Sequence, residues 1–375
     1  MLLIKKRETS MKKIIIFILM ITLFMTITAC QEAEQENQNE QASEQAEQNE
    51  QARVYEILEE NITVGAGTAW ALNGLLTLPK DADGKVPAVV LVHGSGPSDM
   101  DGTPPLPEFV NTPFRDIAEY LSSKGIAVIR YDKRGYAHGL KMIQQFAGSF
   151  TVYEETIEDA ILAAHILRTD RRINSDKVFI LGHSMGGMLA PRIHAEGGNF
   201  AGIISLAGSP RSLIEIAKDQ NIAISISYIE TLDGEEKEEF LKAMETFEDD
   251  WADFWNAFLD LPDDEAKNTM VPNWGNTSAY YWKDLQRNPT SKYVQDINIP
   301  FLIMQGSADF QASADIDFVA WQELLAGRQN ATFKLYDGLN HLLMTSTTGD
   351  LDEYKVAGHV DGQVLQDIVD WIKAN

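Results

Sequence analysis

The chain has 375 residues, a formal net charge of -25 and a single cysteine, with a sequence pI near 4.6. A chain of this length can bury a large core, as one α/β domain with an inserted segment or as two domains. Its acidity argues against a nucleic-acid partner, which needs a basic footprint, and one cysteine excludes an intrachain disulfide.

Met11-Lys12-Lys13 precedes an apolar run that starts at Ile14 and ends at Ile27-Thr28-Ala29-Cys30. A positive stretch, an apolar stretch and small residues at a cleavage point make residues 1–30 an export signal rather than a fold element, with Met11 as the better start. The alternative, an uncleaved anchor, meets a run near the short end for a membrane span. Ile-Thr-Ala-Cys resembles a bacterial lipobox, which implies lipidation of Cys30 and anchoring at the extracytoplasmic face of the cell membrane. Residues 31–52 are almost wholly Glu, Gln, Asn, Ala and Ser. They hold nothing that builds a core, so they read as a solvated tether.

The folded domain is expected over 53–375. Residues 54–64 and 71–79 read as two extended segments forming an antiparallel entry to a sheet. Val86 to Val92 is a continuous β-branched run, as in a strand covered on both faces, and it runs into His93-Gly94-Ser95-Gly96-Pro97. A glycine-rich loop at such a strand end can aim backbone N–H groups at a developing oxyanion; Ser95 is the candidate, with His93 as loop support. An amphipathic helix over 114–123, a strand at 126–129, a helix over 156–167 and a strand at 178–181 follow in βαβ rhythm. Between them, Arg130-Tyr131-Asp132-Lys133-Arg134 reads as a salt-bridged structural loop.

The next segment, Gly182-His183-Ser184-Met185-Gly186-Gly187, turns from strand to helix and exposes one serine. Small residues at 182 and 186 permit the sharp turn, and the Met185 N–H is a second oxyanion donor. By itself the pattern is equally that of an ordinary glycine-rich turn.

After a strand at 201–208 the rhythm stops, and 211–290 reads as a helical insertion capping the site. Its one ambiguous run is 222–229. Phe240, Met244, Phe247, Trp251, Phe254, Trp255 and Phe258 recur at spacings of three and four, as an aromatic stripe on one helix. Trp274, Tyr280, Tyr281 and Trp282 are candidates to line the same opening. The sheet resumes at 299–306 and ends at 333–336, which places Asp309 and His341 just beyond strands. Asp315, Asp317 and Asp337 compete with Asp309, but only Asp309 joins a strand end to a glycine turn. Serine, acid and histidine then follow the order of a hydrolase triad, with Ser184 as nucleophile, His341 as base and Asp309 orienting it. No cofactor motif or zinc-like ligand cluster is apparent.

Taken together, the 93–97 loop, Arg130 to Arg134, Gly182 to Pro191 and Gly338-Leu339-Asn340-His341 resemble the serine α/β-hydrolase superfamily. More narrowly they resemble bacterial carboxylesterases of the dienelactone-hydrolase-like and cinnamoyl-esterase-like group. The resemblance implies an α/β-hydrolase fold, a mostly parallel sheet covered by helices on both faces. It also implies cleavage of small-molecule short-chain acyl or aryl esters through an acyl-enzyme. A serine stands where dienelactone hydrolase itself has a cysteine. Peptidase, acyltransferase and thioesterase chemistry on the same fold are alternatives, as is a non-catalytic surface scaffold. Nothing in the sequence speaks to oligomeric state.

Overall fold

The computed structural model describes residues 53–146, 148–275 and 277–375. The expected export signal with Met11 and Cys30, and the expected tether up to residue 52, lie outside the described residues.

The strands are β1 (Ile57–Val64), β2 (Leu72–Pro79), β3 (Val86–Val92), β4 (Ala127–Tyr131), β5 (Ile173–His183), β6 (Ile203–Leu206), β7 (Phe301–Gly306) and β8 (Ala331–Tyr336). They form one sheet in the order β1-β2-β4-β3-β5-β6-β7-β8. Pairing is antiparallel for β1 with β2 and β2 with β4, and parallel from β4 to β8.

The continuous apolar runs follow from burial on both faces of the sheet. Successive side chains of a strand point to opposite sides. Ala88, Val90 and Val92 of β3 and Ile180 of β5 therefore enter one core, while Val89, Leu91, Phe179 and Leu181 enter the other. The first core is closed by α3 (Glu158–Thr169) and α4 (Met185–Ile193), through Ala160, Ala164 and Leu189. The second is closed by α1 (Pro113–Ser123) and the last helix, α10 (Gly362–Ala374), through Ile117, Leu121, Val364 and Ile368. The mostly parallel sheet with both faces covered is thus as expected.

Register sets the position of the site. Val92 pairs with Gly182, His183 with Leu206, and Leu206 with Met304. The carboxyl ends of β3, β5, β6 and β7 consequently lie side by side, where open α/β sheets place their ligands.

Three segments add to or refine the predicted elements. Arg134, read as the end of a salt-bridged loop, starts a helix, α2, that runs to Phe146 and that no predicted element covers. Gly135 and Gly139 hide the helical pattern, and His138 interrupts it with φ -135°. The ambiguous 222–229 run lies inside a helix, α5 (Leu213–Glu230), opened by a capping box in which Ser212 and Glu215 satisfy each other's backbone N–H. The aromatic stripe lies on two helices, α6 (Gly234–Met244) and α7 (Phe247–Leu259). The break falls at Thr246, the residue before α7, whose hydroxyl donates to the Asp250 carboxylate at 2.8 Å. After α7, helix α8 (Ala279–Arg287) leads back toward β7, and α9 (Val319–Leu324) lies between β7 and β8.

Candidate active site

Ser184 occupies the turn between β5 and α4 with φ 54° and ψ -120°, a conformation that L-residues seldom adopt. The turn has no room for larger neighbours. A Cβ on Gly182 would lie 2.2 Å from the Gly186 carbonyl, and one on Gly186 would lie 2.4 Å from the Val92 oxygen. The Ser184 N–H donates to Leu206 O at 2.9 Å, which fixes the turn to the next strand. Met185 is the first residue of α4, where backbone N–H groups have no intrahelical acceptor. Ser95 is exposed on the facing loop, and both Ser95 and Met185 line the cavity that Ser184 faces.

The facing loop is held from beneath. His93 is buried, and burial, with help from the Lys133 charge, pushes its imidazole down to about 3. The ring is therefore neutral at ordinary pH. Its Nε2–H donates to Tyr131 O at 2.7 Å, and Nδ1 accepts from the Ser98 hydroxyl at 2.9 Å. Lys133 donates to Gly94 O at 2.8 Å and pairs with Glu155 at 3.1 Å. Arg130 pairs with Glu59 at 2.8 Å and Asp101 at 3.0 Å, and Arg134 pairs with Asp159. These charges brace the loops around the site rather than face the cavity, apart from Glu155, which lines it and accepts from Tyr281 Oη at 2.7 Å.

Asp309 and His341 meet across β7 and β8. His341 Nδ1 donates to Asp309 Oδ2 at 2.8 Å, and both side chains are buried. Gln305 Nε2 also donates to Asp309 Oδ2, at 2.6 Å, while Oδ1 accepts from the N–H groups of Gln311 and Ala312 at 2.8 and 2.9 Å. Four donors around one carboxylate fix its orientation. The rival acids are placed elsewhere. Asp317 is bound by Ser209 at 2.6 Å and Arg211 at 3.1 Å, Asp337 accepts from Ser307 at 3.2 Å, and Asp315 sits on the π-helical turn Ala314–Phe318.

His341 and Ser184 line one cavity of about 430 Å³. Its walls include Met142, Phe150, Met188, Trp274, Tyr281 and Trp282. Tyr280 is not among them; its ring packs under the Lys267 ammonium at 4.8 Å. The stripe aromatics stand one layer back, with Trp255 4.7 Å from Trp282 and Trp251 5.9 Å from Trp274.

Several supporting residues give no signal in the sequence. Gln305 reads there only as part of a strand, and Met142 belongs to the unexpected helix. Glu353, on a 3₁₀ turn (Leu351–Lys355), accepts from Asn340 Nδ2 at 2.9 Å and Ser346 Oγ at 2.6 Å. It also accepts from the N–H groups of Thr347, Thr348 and Gly349 at 2.5 to 2.7 Å. Burial alone would raise its pKa, but the Gly349 N–H and the other donors hold the carboxyl down to about 2. Asn340 in turn accepts from Leu342 N at 3.0 Å and Met344 N at 3.2 Å, closing the loop around His341.

A strand-turn-helix serine and the histidine of a buried Asp-His pair line one cavity at the carboxyl edge of a mostly parallel sheet, the arrangement expected of an α/β-hydrolase. Residues 89–351 match the model of the alpha/beta hydrolase family, and the chain belongs to that family. It is 35% identical over 316 residues to Esterase EstD of Thermotoga maritima, covering 84% of this chain and 67% of that one. In fold it is similar to Est1E from Butyrivibrio proteoclasticus, with TM-score 0.50 and 16% identity, covering 84% of this chain and 96% of that one. It is also similar to an esterase from Pyrococcus furiosus, with TM-score 0.47 and 14% identity, covering 85% of this chain and 91% of that one.

Proposed function

We propose that the protein is a carboxylesterase that cleaves short-chain acyl or aryl esters through a Ser184 acyl-enzyme. The observation that carries this reading is the Asp309-His341 hydrogen bond of 2.8 Å on the rim of the cavity that also holds Ser184. With Nδ1–H donated to the carboxylate, the Nε2 lone pair of His341 is left to accept a proton. It takes the Ser184 proton as the oxygen attacks the ester carbonyl, then returns that proton to the departing alkoxide. Asp309 stabilises the imidazolium formed in between. Water then repeats the cycle on the acyl-enzyme and releases the acid. The N–H groups of Ser95 and Met185 receive the oxyanion; removal of one such donor typically costs about 3 kcal/mol of transition-state stabilisation. The esterase name of a relative 35% identical over 84% of this chain supports ester rather than other acyl substrates.

The test is release of p-nitrophenol from acetate and butyrate esters by wild type and Ser184→Ala. Wild type is expected to turn both over, with a drop of about 10⁴-fold or more in the variant. Equal rates would end the serine mechanism.

The lipobox-like residues 27–30 support a place for the enzyme on the outer face of a bacterial membrane, since several acyl chains hold a protein where one does not. Metabolic labelling with palmitate should mark the wild-type chain and fail to mark Cys30→Ala; equal labelling would remove the anchor. Among the described residues, no helix is long and apolar enough to cross a membrane.

A further inference from the structure

Ser184 and His341 open on two cavities. Beside the 430 Å³ cavity lies a second of about 230 Å³, and Ser95, Pro97, Ser184, Gln311 and His341 line both. The larger one runs beneath α2, α5 and the 273–282 segment. The smaller is walled by Leu106 and Phe109 on one side and by Leu342, Leu351 and Tyr354 on the other. An ester has two arms on either side of its carbonyl carbon, so two cavities meeting at one nucleophile match two arms.

The leaving oxygen must stand beside the imidazole that protonates it. The smaller cavity extends outward from His341 along the residues that follow it, whereas the larger extends past Met185 and Met188 of α4. Resting on the ester-hydrolase reading above, we propose that the smaller cavity is the alcohol subsite and that it takes an uncharged, apolar alcohol of about the size of benzyl alcohol.

The wall chemistry specifies that class. Among the described residues, no Asp, Glu, Lys or Arg lines the cavity, in contrast to Glu155 in the larger one. Several of its polar side chains are committed to the protein. His93 binds Tyr131 O and Ser98, and His183 Nε2–H donates to His341 O at 2.9 Å. Asn111 donates to Tyr354 O at 3.2 Å and accepts from Gly358 N at 2.8 Å. Burial holds the His93 and His183 rings neutral. A charged alcohol would be desolvated there without a counter-charge, which is costly. Apart from Ser95, Ser184, Gln311 and His341, which it shares with the larger cavity, the surface left for a ligand is mainly apolar, and in it the Phe109 ring lies 6.1 Å from Tyr354. An apolar cavity of about 150 Å³ is enough to bind benzene, so one of about 230 Å³ has room for a ring with a methylene and an oxygen.

The experiment pairs two ester series on the full chain. Butyrate esters of ethanol, benzyl alcohol and 2-phenylethanol vary the alcohol; p-nitrophenyl acetate, butyrate and octanoate vary the acyl group. Leu351→Trp fills the smaller cavity and Phe109→Ala enlarges it, and neither residue belongs to the catalytic machinery. Leu351→Trp is expected to lower kcat/KM for the benzyl ester relative to the ethyl ester by about tenfold. Phe109→Ala is expected to shift the preference toward the larger alcohol, and both variants should keep the wild-type order across the acyl series. A change in acyl preference, or no change in either series, overturns the assignment. Ser184→Ala is the separate control: undiminished hydrolysis by that variant would strike the ester-hydrolase reading itself.

Discussion

His183 Nε2 donates to the main-chain oxygen of His341 across 2.9 Å, with the two rings 4.8 Å apart. The residue before the elbow serine thereby ties β5 to the loop that carries the proposed base, 158 residues further along the chain. The tie requires a proton on Nε2 but does not require a positive charge. Burial first, and then the neighbouring His341, pushes the His183 imidazole down to about 4.

That depression makes the fold sensitive to acid. In the unfolded chain His183 and His93 titrate near 6.5, whereas in the fold they titrate near 4 and 3. The unfolded state therefore binds more protons below pH 6.5, and stability falls as pH drops from about 6.5 toward about 4, by up to about 1.4 kcal/mol per pH unit for each ring. Replacement His183→Gln keeps an N–H donor but does not titrate. Urea midpoints at pH 7 and pH 5 should draw closer together in that variant than in wild type; an unchanged gap would refute the assignment of the acid limb to His183.

Asp309 should not tolerate its amide. All four of its recorded partners donate to it, so Asp309→Asn must turn an NH₂ toward a donor or force His341 into the other tautomer. In that tautomer Nε2 carries the proton and does not accept one from Ser184. Ester turnover should fall by about 10⁴-fold, with a lower melting temperature as well. Retention of more than a tenth of wild-type kcat would show that another acid orients His341.

Glu353 is expected to act as a positioning residue through Asn340. Since its carboxyl lies near 2 in the fold against an ordinary 4.5, its contribution is complete above about pH 4.5 and is lost as pH falls toward 2. This window begins below that of the two histidines and overlaps its lower end. Glu353→Gln would remove a charged acceptor from several N–H donors and cost about 2 kcal/mol. The measurement is kcat against KM at pH 7.5. Loss of His341 placement should lower kcat more than it raises KM, while an effect on melting temperature alone would reduce Glu353 to a loop brace.

Gly182→Ala tests the packing of the elbow. Its new methyl would meet the Gly186 backbone at 2.2 Å, and main chain rather than a flexible side-chain tip would have to shift. Overpacking at such a place costs on the order of 3 kcal/mol, measurable as a drop in the chemical-denaturation midpoint. A variant as stable as wild type would mean that the turn relaxes more freely than its contacts indicate.

The strands, the elbow and the order of Ser184, Asp309 and His341 are legible in the sequence because each is a local pattern. A β-branched run, a glycine-flanked serine and an acid just past a strand announce themselves within a few residues. The selection of Asp309 over its rivals rested on the same kind of local cue, a glycine turn at a strand end. Helix α2 was obscured for the converse reason: two glycines and a break at His138 weaken the local pattern, and its wall of the cavity appears only after it packs.

Other features had no local pattern to read. Gln305 and Asp309 are four residues apart and Asn340 and Glu353 are 13 apart, yet both contacts depend on how the chain turns beyond β7 and β8. The clasp of His183 on His341 spans 158 residues, and the second cavity is lined by residues from 93 to 354; these two arise because strand register brings the ends of β3, β5, β6 and β7 to one edge. The sequence by itself determined which segments become strands and helices and which residue types stand at their ends. Only the tertiary structure decided which of those ends meet, because hydrogen bonds of under 3 Å depend on distances that spacing along a chain does not set.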